Sequence, residues 1–309
     1  MKLIVVFLGL FLGQVTQARD IITIVSPYSA SHSGTPALFK IVEQANAQQS
    51  IYQFIVEFKP GAEQLLAVRY ADEQPQSRLT IVAPKYVEHT FSGKLNQNNY
   101  VPVFALGDAC WAVITNVGDE KRGVSSLRGQ KELTVGGVGF GNSAHLTALQ
   151  LGEKYGFSVR YVPFRSNFDA LILLAGDQSV NMVLERVSNA QQMKIKNPNV
   201  KILGMSCPIR HPDVPNVKTL KEQNIQAPYV FNIIVANTNM PLPRRTAINQ
   251  ILENATRTAG EQTIQKISDM RPPMFDQVNL NTYYNNSIAT VGSLLKKHEV
   301  TVKAAINGK

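Results

Sequence analysis

The sequence predicts an α/β protein built as two lobes, and three observations carry the prediction. Short apolar, β-prone runs alternate with helical patterns, the mark of layered sheets that are mixed and largely parallel, flanked by helices. The rhythm pauses at a polar, charged segment over 116–132 and then restarts. Two further β-prone runs, Cys110 to Thr115 and Tyr229 to Val235, stand where a chain would leave one lobe and return to finish it. The expected lobes are 19–110 together with 230–309, and 111–229, joined by hinge strands.

The elements follow in order. Ile21 to Val25 is a strand, and a polar loop runs from Ser26 to Thr35. Leu38, Ile41, Val42 and Ala45 then recur at helical spacing. Tyr52 to Phe58 alternates like a half-buried strand, Lys59-Pro60-Gly61 turns, and Ala62 to Ala71 reads as a helix. Leu79 to Val82 and Val101 to Leu106 are strands. In the second lobe, strands are expected at 133–135, 159–162, 179–184 and 202–206, with helices at 143–154, 168–175 and 187–195. The end of the chain is helical, with one apolar face at Ile248, Ile251, Leu252 and Ala255 and another at Tyr284, Ile288, Val291 and Leu295.

The first residues set the expected address. Met1-Lys2 precedes an apolar run from Leu3 to Leu12, and Thr16-Gln17-Ala18 ends in small residues. Charged start, apolar stretch and small-residue site make a secretory leader over 1–18, cut after Ala18. The apolar run is short for a bilayer span. The 309 residues carry a net charge of +9, one less without Lys2. The Lys and Arg residues are dispersed, which argues against a nucleic-acid arm and fits attraction of small anions. Cys110 and Cys207 permit one disulfide in an exported protein, or two buried thiols.

The stretch from Val135 to Leu146 is the chemical focus. A strand feeds a glycine-rich turn that opens a helix, with Asn142 or Ser143 as the N-cap. A helix start presents unpaired N–H donors and partial positive charge, and glycine lets a ligand approach the backbone. The reading is an anion seat for a carboxylate; the alternative is an ordinary strand-to-helix turn. No Gly-Lys-Ser/Thr follows, and the spacing is not that of a dinucleotide fingerprint. No Gly-x-Ser-x-Gly elbow, His-Glu-x-x-His pair or ligand-spaced metal cluster occurs, so an exported serine hydrolase is the weaker alternative, and neither metal nor cofactor is expected.

Gly139-Phe140-Gly141-Asn142-Ser143-Ala144-His145-Leu146 is similar to a Gly-x-Gly-Ser-x-x-His-Leu motif, and Val162-Pro163-Phe164-Arg165 to Val-Pro-Tyr-Lys. Arg210, Pro212-Asp213-Val214-Pro215 and Thr219-Leu220-Lys221-Glu222 follow in the matching order. Together these resemble the extracytoplasmic solute receptors of the tripartite tricarboxylate transporter family, the Bug-type receptors. The resemblance implies a type II periplasmic binding protein fold that closes on its ligand like a hinged trap. It implies a non-enzymatic, periplasmic, monomeric receptor that captures a small carboxylate and meets the membrane subunits of a transporter. A sensor that presents its ligand to a membrane receptor is the alternative use of the same fold. Two departures stand out. The first loop is serine-rich and ends Gly34-Thr35-Pro36, and the family's Gly-Ala-Gly-Gly becomes Gly61-Ala62-Glu63-Gln64, which puts side chains where bare backbone is expected.

Carried over residue by residue, the first-lobe loop is Pro27-Tyr28 through Gly34-Thr35 and the second-lobe seat is Gly139, Gly141, Asn142 and Ser143. Phe164 and Glu185 should line the cleft. Tyr28 stacks on a planar ligand or caps the core. Ser29 and Ser31 offer hydroxyls or belong to a plain polar loop. His145 donates to the ligand or packs the helix. Arg165 reaches a second carboxylate or stays solvated. Glu185 accepts from a ligand hydroxyl or pairs with Arg186.

Overall fold

A computed structural model describes residues 19–30, 32, 34–164, 166–207, 209–228, 230–268, 270–271 and 277–299. The leader expected over 1–18, Tyr229, and the candidate site residues Ser31 and Arg165 lie outside the described residues.

The first sheet is built around β1 (Asp20–Ser26), whose last five residues are all buried. It pairs in parallel with β2 (Tyr52–Phe58) on one side and β3 (Arg78–Val82) on the other. Next to β3 the direction reverses: β10 (Val230–Asn237) runs antiparallel between β3 and β4 (Tyr100–Ala109). The short β11 (Met270–Arg271) closes that edge. The second sheet repeats the plan. β6 (Glu132–Gly137) pairs in parallel with β7 (Ser158–Pro163) and β8 (Met182–Arg186), and β5 (Trp111–Thr115) runs antiparallel between β8 and β9 (Lys201–Met205). Both sheets are therefore mixed. The parallel strands come from strand-loop-helix units, and the antiparallel ones are where the chain crosses between sheets, at 109–111 and again before Val230.

Helices cover the sheets, and most begin as their sequence dictates. α1 (Thr35–Gln48) has Pro36 in its first turn, where a missing N–H costs nothing. α4 (Ser143–Tyr155) starts at Asn142, whose Oδ1 accepts from His145 N at 2.9 Å, and stops at Gly156, with φ of 79°. α5 (Asn167–Ala175) is capped by Ser166. One expectation fails locally. The helix read from Ala62 starts only at Leu65: α2 spans Leu65–Asp72, and a left-handed turn over 62–64 precedes it. A further helix, α3 (Pro84–Phe91), not among those expected, follows β3, again with proline in its first turn. In the second lobe α6 (Val187–Lys196) follows β8, and α7 (Leu242–Ala259), α8 (Glu261–Ser268) and α9 (Gln277–Lys297) complete the chain.

Among the described residues, four large apolar clusters and a small fifth one (Val25, Ala67 and Ala71) pack against the two sheets. The one joining Val82, Tyr86, Phe231 and Ile233 also takes in Leu146 and Leu149 of α4 and Tyr284, Ile288 and Val291 of α9. The second-sheet helix that starts at the glycine turn is thus anchored on first-sheet elements. Cys110, between β4 and β5, is bridged to Cys207, just past β9, with Cα atoms 4.8 Å apart.

Candidate functional site

The loops at the carboxyl ends of β1, β2, β3, β6 and β8 meet where helices begin, the usual ligand position in such sheets. On the second-sheet side, the turn after β6 is set by Gly139 and Gly141, with φ of 65° and 74°, conformations that favour glycine. Side chains fix its course. Asn167 Oδ1 accepts from Val138 N at 3.0 Å, and His145 Nδ1 accepts from Gly141 N at 3.0 Å. Asn142 Nδ2 donates to the Val138 carbonyl, while its Oδ1 takes His145 N and lies 3.3 Å from the Tyr161 hydroxyl. Among the described residues, the N–H groups of Gly139, Phe140, Ser143 and Ala144 meet no acceptor. Four donors at a helix start, with open space beside Gly139, make a place that favours an anion.

His145 lies beneath this turn. It is 1% exposed, and its ring packs 4.3 Å from that of Tyr161. Burial, with a smaller contribution from His298, pushes its pKa down to about 4. A neutral imidazole with a bare Nδ1 is what the Gly141 N–H requires. The structure therefore gives His145 the task of shaping the glycine turn. Ser143 is buried, and its carbonyl accepts from the Thr147 hydroxyl at 2.7 Å. Phe164 N donates to the Gly137 carbonyl at 2.9 Å, and its ring packs into the core of the second sheet.

On the first-sheet side the same device recurs. His32 Nδ1 accepts from Gly34 N at 3.1 Å, and burial, then the positive charge of Arg186, push its pKa down to about 4. Its ring stacks on Tyr28 with centroids 4.0 Å apart. Tyr28 therefore has a ring partner within its own loop. Its hydroxyl donates to Asn232 Oδ1 at 2.9 Å and sits 3.5 Å from Gln64 Nε2. A void of about 10 Å³, room for about one water, lies among Ser26, Tyr28, Thr35 and Asn232. The Thr35 hydroxyl donates to the carbonyl of the exposed Ser29 at 3.4 Å, and Gly34 is buried at the start of α1.

Glu185 is the next-to-last residue of β8. Its Oε1 accepts from Arg186 N at 2.7 Å and from Asn189 Nδ2 at 3.3 Å, so the carboxylate is held at the start of α6. The Arg186 guanidinium donates to the Ser268 carbonyl, a contact from the second sheet to a first-lobe helix. Its charge is felt at both Tyr28 and His32, so it belongs to the same cleft.

Lys85 joins the site without having been among the expected residues. Placed in the first turn of α3 by Pro84, it pairs with Glu63 Oε1 at 3.3 Å and with Glu88, and donates to the Phe140 carbonyl at 3.4 Å. The signal is present in the sequence: a strand ending at Val82 followed by Ala83-Pro84 is itself a strand-to-helix loop of the kind that lines such clefts. Larger concavities lie elsewhere, including a groove of about 760 Å³ between α3 and α9 that neither loop lines. Among the described residues no cluster of His, Cys, Asp and Glu could hold a metal, and no helix is long and apolar enough to cross a membrane.

Comparison with known proteins gives consistent results. The family model described as tripartite tricarboxylate transporter family receptor matches residues 124–299. A protein from Pseudomonas sp. strain P51, described as a UPF0065 protein in the tcbD-tcbE intergenic region, is 22% identical over 213 residues, which is 65% of this chain. The match spans 62% of that relative's length, under two thirds. A TctC solute binding protein from Polaromonas, solved without ligand, superposes with a TM-score of 0.70 at 19% identity, over 90% of this chain and 98% of its own. MatC from Rhodopseudomonas palustris, solved with bound malate, gives 0.63 at 18% identity, over 89% and 99%. At such identities the two structures establish the two-lobed binding-protein fold.

Proposed function

Because this chain belongs to the tripartite tricarboxylate transporter family of receptors, we propose that it is a periplasmic solute-binding protein which captures a small carboxylate between its lobes and delivers it to the membrane subunits of a transporter. The lobes of this reading are 19–110 with 230–309, and 111–229, following a leader over 1–18. One observation supports it above the rest: four backbone N–H groups, on Gly139, Phe140, Ser143 and Ala144, stand without acceptors at the start of α4. A carboxylate there gains charge-assisted bonds and the favourable end of the helix dipole. Enclosure between lobes strengthens those bonds by excluding water. MatC, with its malate, is a fold relative that holds such an acid.

No bond is made or broken in this function. The chain's residues bind and orient: the glycine turn receives the carboxylate, and the loop of Tyr28 and Thr35 closes on it from the other lobe. Arg186 adds positive charge beside the Tyr28 loop, and Lys85, its charge taken up by Glu63 and Glu88, ties the first lobe to the glycine turn. The test is thermal unfolding against a panel of mono- and dicarboxylates. At least one should raise the melting temperature, since a ligand at a hundred times its Kd adds about 2.7 kcal/mol. A well-folded protein that no carboxylate shifts would refute the reading.

A further inference from the structure

Ala62, Glu63 and Gln64 hold φ of 43°, 53° and 81°. Three successive non-glycine residues in the left-handed region are disfavoured, and such a run persists only when its surroundings over-determine it. They do so here. His89 Nε2 lies 2.9 Å from the Glu63 carbonyl, Lys85 Nζ lies 3.3 Å from Glu63 Oε1, and Gln64 N donates to the Gly61 carbonyl at 3.0 Å. Two side chains of α3 thus clamp the turn from below.

The turn delivers the Gln64 side chain. Its Nε2 donates toward the Tyr28 hydroxyl at 3.5 Å, and that hydroxyl donates to Asn232 Oδ1 at 2.9 Å. The chain of bonds runs one way, so the Gln64 amide oxygen remains as an acceptor. That atom is buried and has no hydrogen-bond partner, a costly state for an amide oxygen. The turn also borders the anion seat, because the Lys85 ammonium that pairs with Glu63 reaches the Phe140 carbonyl at 3.4 Å.

We infer that Gln64 is a specificity-determining residue, its Oε1 accepting a hydrogen bond from a hydroxyl or amide N–H carried by the carboxylate that the glycine turn seats. The ligand class is therefore a hydroxy- or carboxamido-acid, as distinct from a plain alkyl acid. This rests on the carboxylate-receptor reading and adds to it. A site that presents an unpaired acceptor rejects analogues lacking the donor far more strongly than it rejects a missing methylene.

The experiment is calorimetry on the full mature chain with matched probes: malate against succinate, 2-hydroxyglutarate against glutarate, lactate against propionate, and succinamate against succinate. The wild type should bind the donor-bearing member of at least one pair tenfold or more tightly. Gln64→Leu, similar in size but without an acceptor, should bring that ratio near one, and Gln64→Glu should keep it. Gln64→Gly, free of backbone strain, guards against misfolding: its melting temperature should not fall, while its preference disappears. The inference is overturned if the wild type binds only donor-free acids, binds both members of every pair alike, or keeps its preference as Gln64→Leu. If no carboxylate of any kind binds, the receptor reading itself fails.

Discussion

Lys85 and Phe140 join the two halves of the molecule: the lysine Nζ, rooted in α3 beside the first sheet, lies 3.4 Å from the phenylalanine carbonyl in the turn after β6. The same ammonium holds Glu63 and Glu88. It sits between the strained turn on one side and the glycine turn on the other, and its side chain is only 15% exposed.

Lys85→Met keeps most of the stem's packing and removes the charge. The closed arrangement then loses one cross-cleft bond, and two glutamates lose their cation. Partly screened pairs of this kind contribute about 1 kcal/mol. Carboxylate affinity should fall roughly fivefold to tenfold, and the ligand-free protein should show a larger radius of gyration by small-angle scattering. Unchanged affinity and unchanged radius would show that the contact is incidental.

His32 and His145 do matching work on facing loops, each accepting one backbone N–H on Nδ1. Both pKa values are pushed down to about 4, first by burial, below the ordinary 6.5. The folded state therefore resists protonation while the unfolded chain accepts it. Stability from these groups is complete above about pH 6.5 and declines as pH falls towards 4, by up to about 3 kcal/mol each. Denaturant unfolding between pH 4 and pH 7.5 should show this slope, and the double variant His32→Asn/His145→Asn should flatten it. A slope that survives the double variant would place the titration elsewhere.

The Cys110–Cys207 bridge closes a span of 97 residues that holds nearly all of the second sheet. Chain-entropy reasoning gives about 4.7 kcal/mol for a loop of that length. Cys110→Ala/Cys207→Ala should unfold at lower urea by about that amount, and reductant should destabilise the wild type while leaving the variant unaffected. Both sulfur-bearing residues are at least nine-tenths buried, so reduction should be slow until the protein unfolds. Equal stability of the two forms would mean that packing alone orders this crossover.

Much of this architecture is legible in the amino-acid order alone. Strand-helix alternation, the glycine turn and the Asn142 cap are local signals, and local signals survive in a sequence. What stays hidden depends on contacts between distant segments. Tyr28 and Asn232 are 204 positions apart, so no spacing could pair them. Whether the two cysteines bridge depends on where β9 ends relative to β5, which no local pattern fixes. The turn at 62–64 reads as helix because alanine, glutamate and glutamine favour helices. Its clamps, His89 and Lys85, come from α3, some twenty residues further along the chain. The side chains that replace the family's glycines there are plain in the sequence, but the strain they accept is a property of the folded backbone.

Gly139 and Gly137 separate binding from folding. A Cβ on Gly139 would meet no heavy atom within 4 Å, yet φ is 65°, so alanine there strains only the backbone, by about 1 kcal/mol. The turn would relax and its free N–H groups would point elsewhere. A Cβ on Gly137 would instead collide with the Tyr161 hydroxyl and crowd Asn167 Oδ1 at 3.2 Å, the atom that holds Val138 N. Gly139→Ala should therefore cost about tenfold in carboxylate affinity with a melting temperature within a few degrees of wild type. Gly137→Ala should lower stability by about 2 kcal/mol as an overpacked site does, with affinity falling as a consequence. Calorimetry and thermal unfolding on both variants decide the matter: a Gly139→Ala protein that binds as tightly as wild type would remove the turn from the binding site.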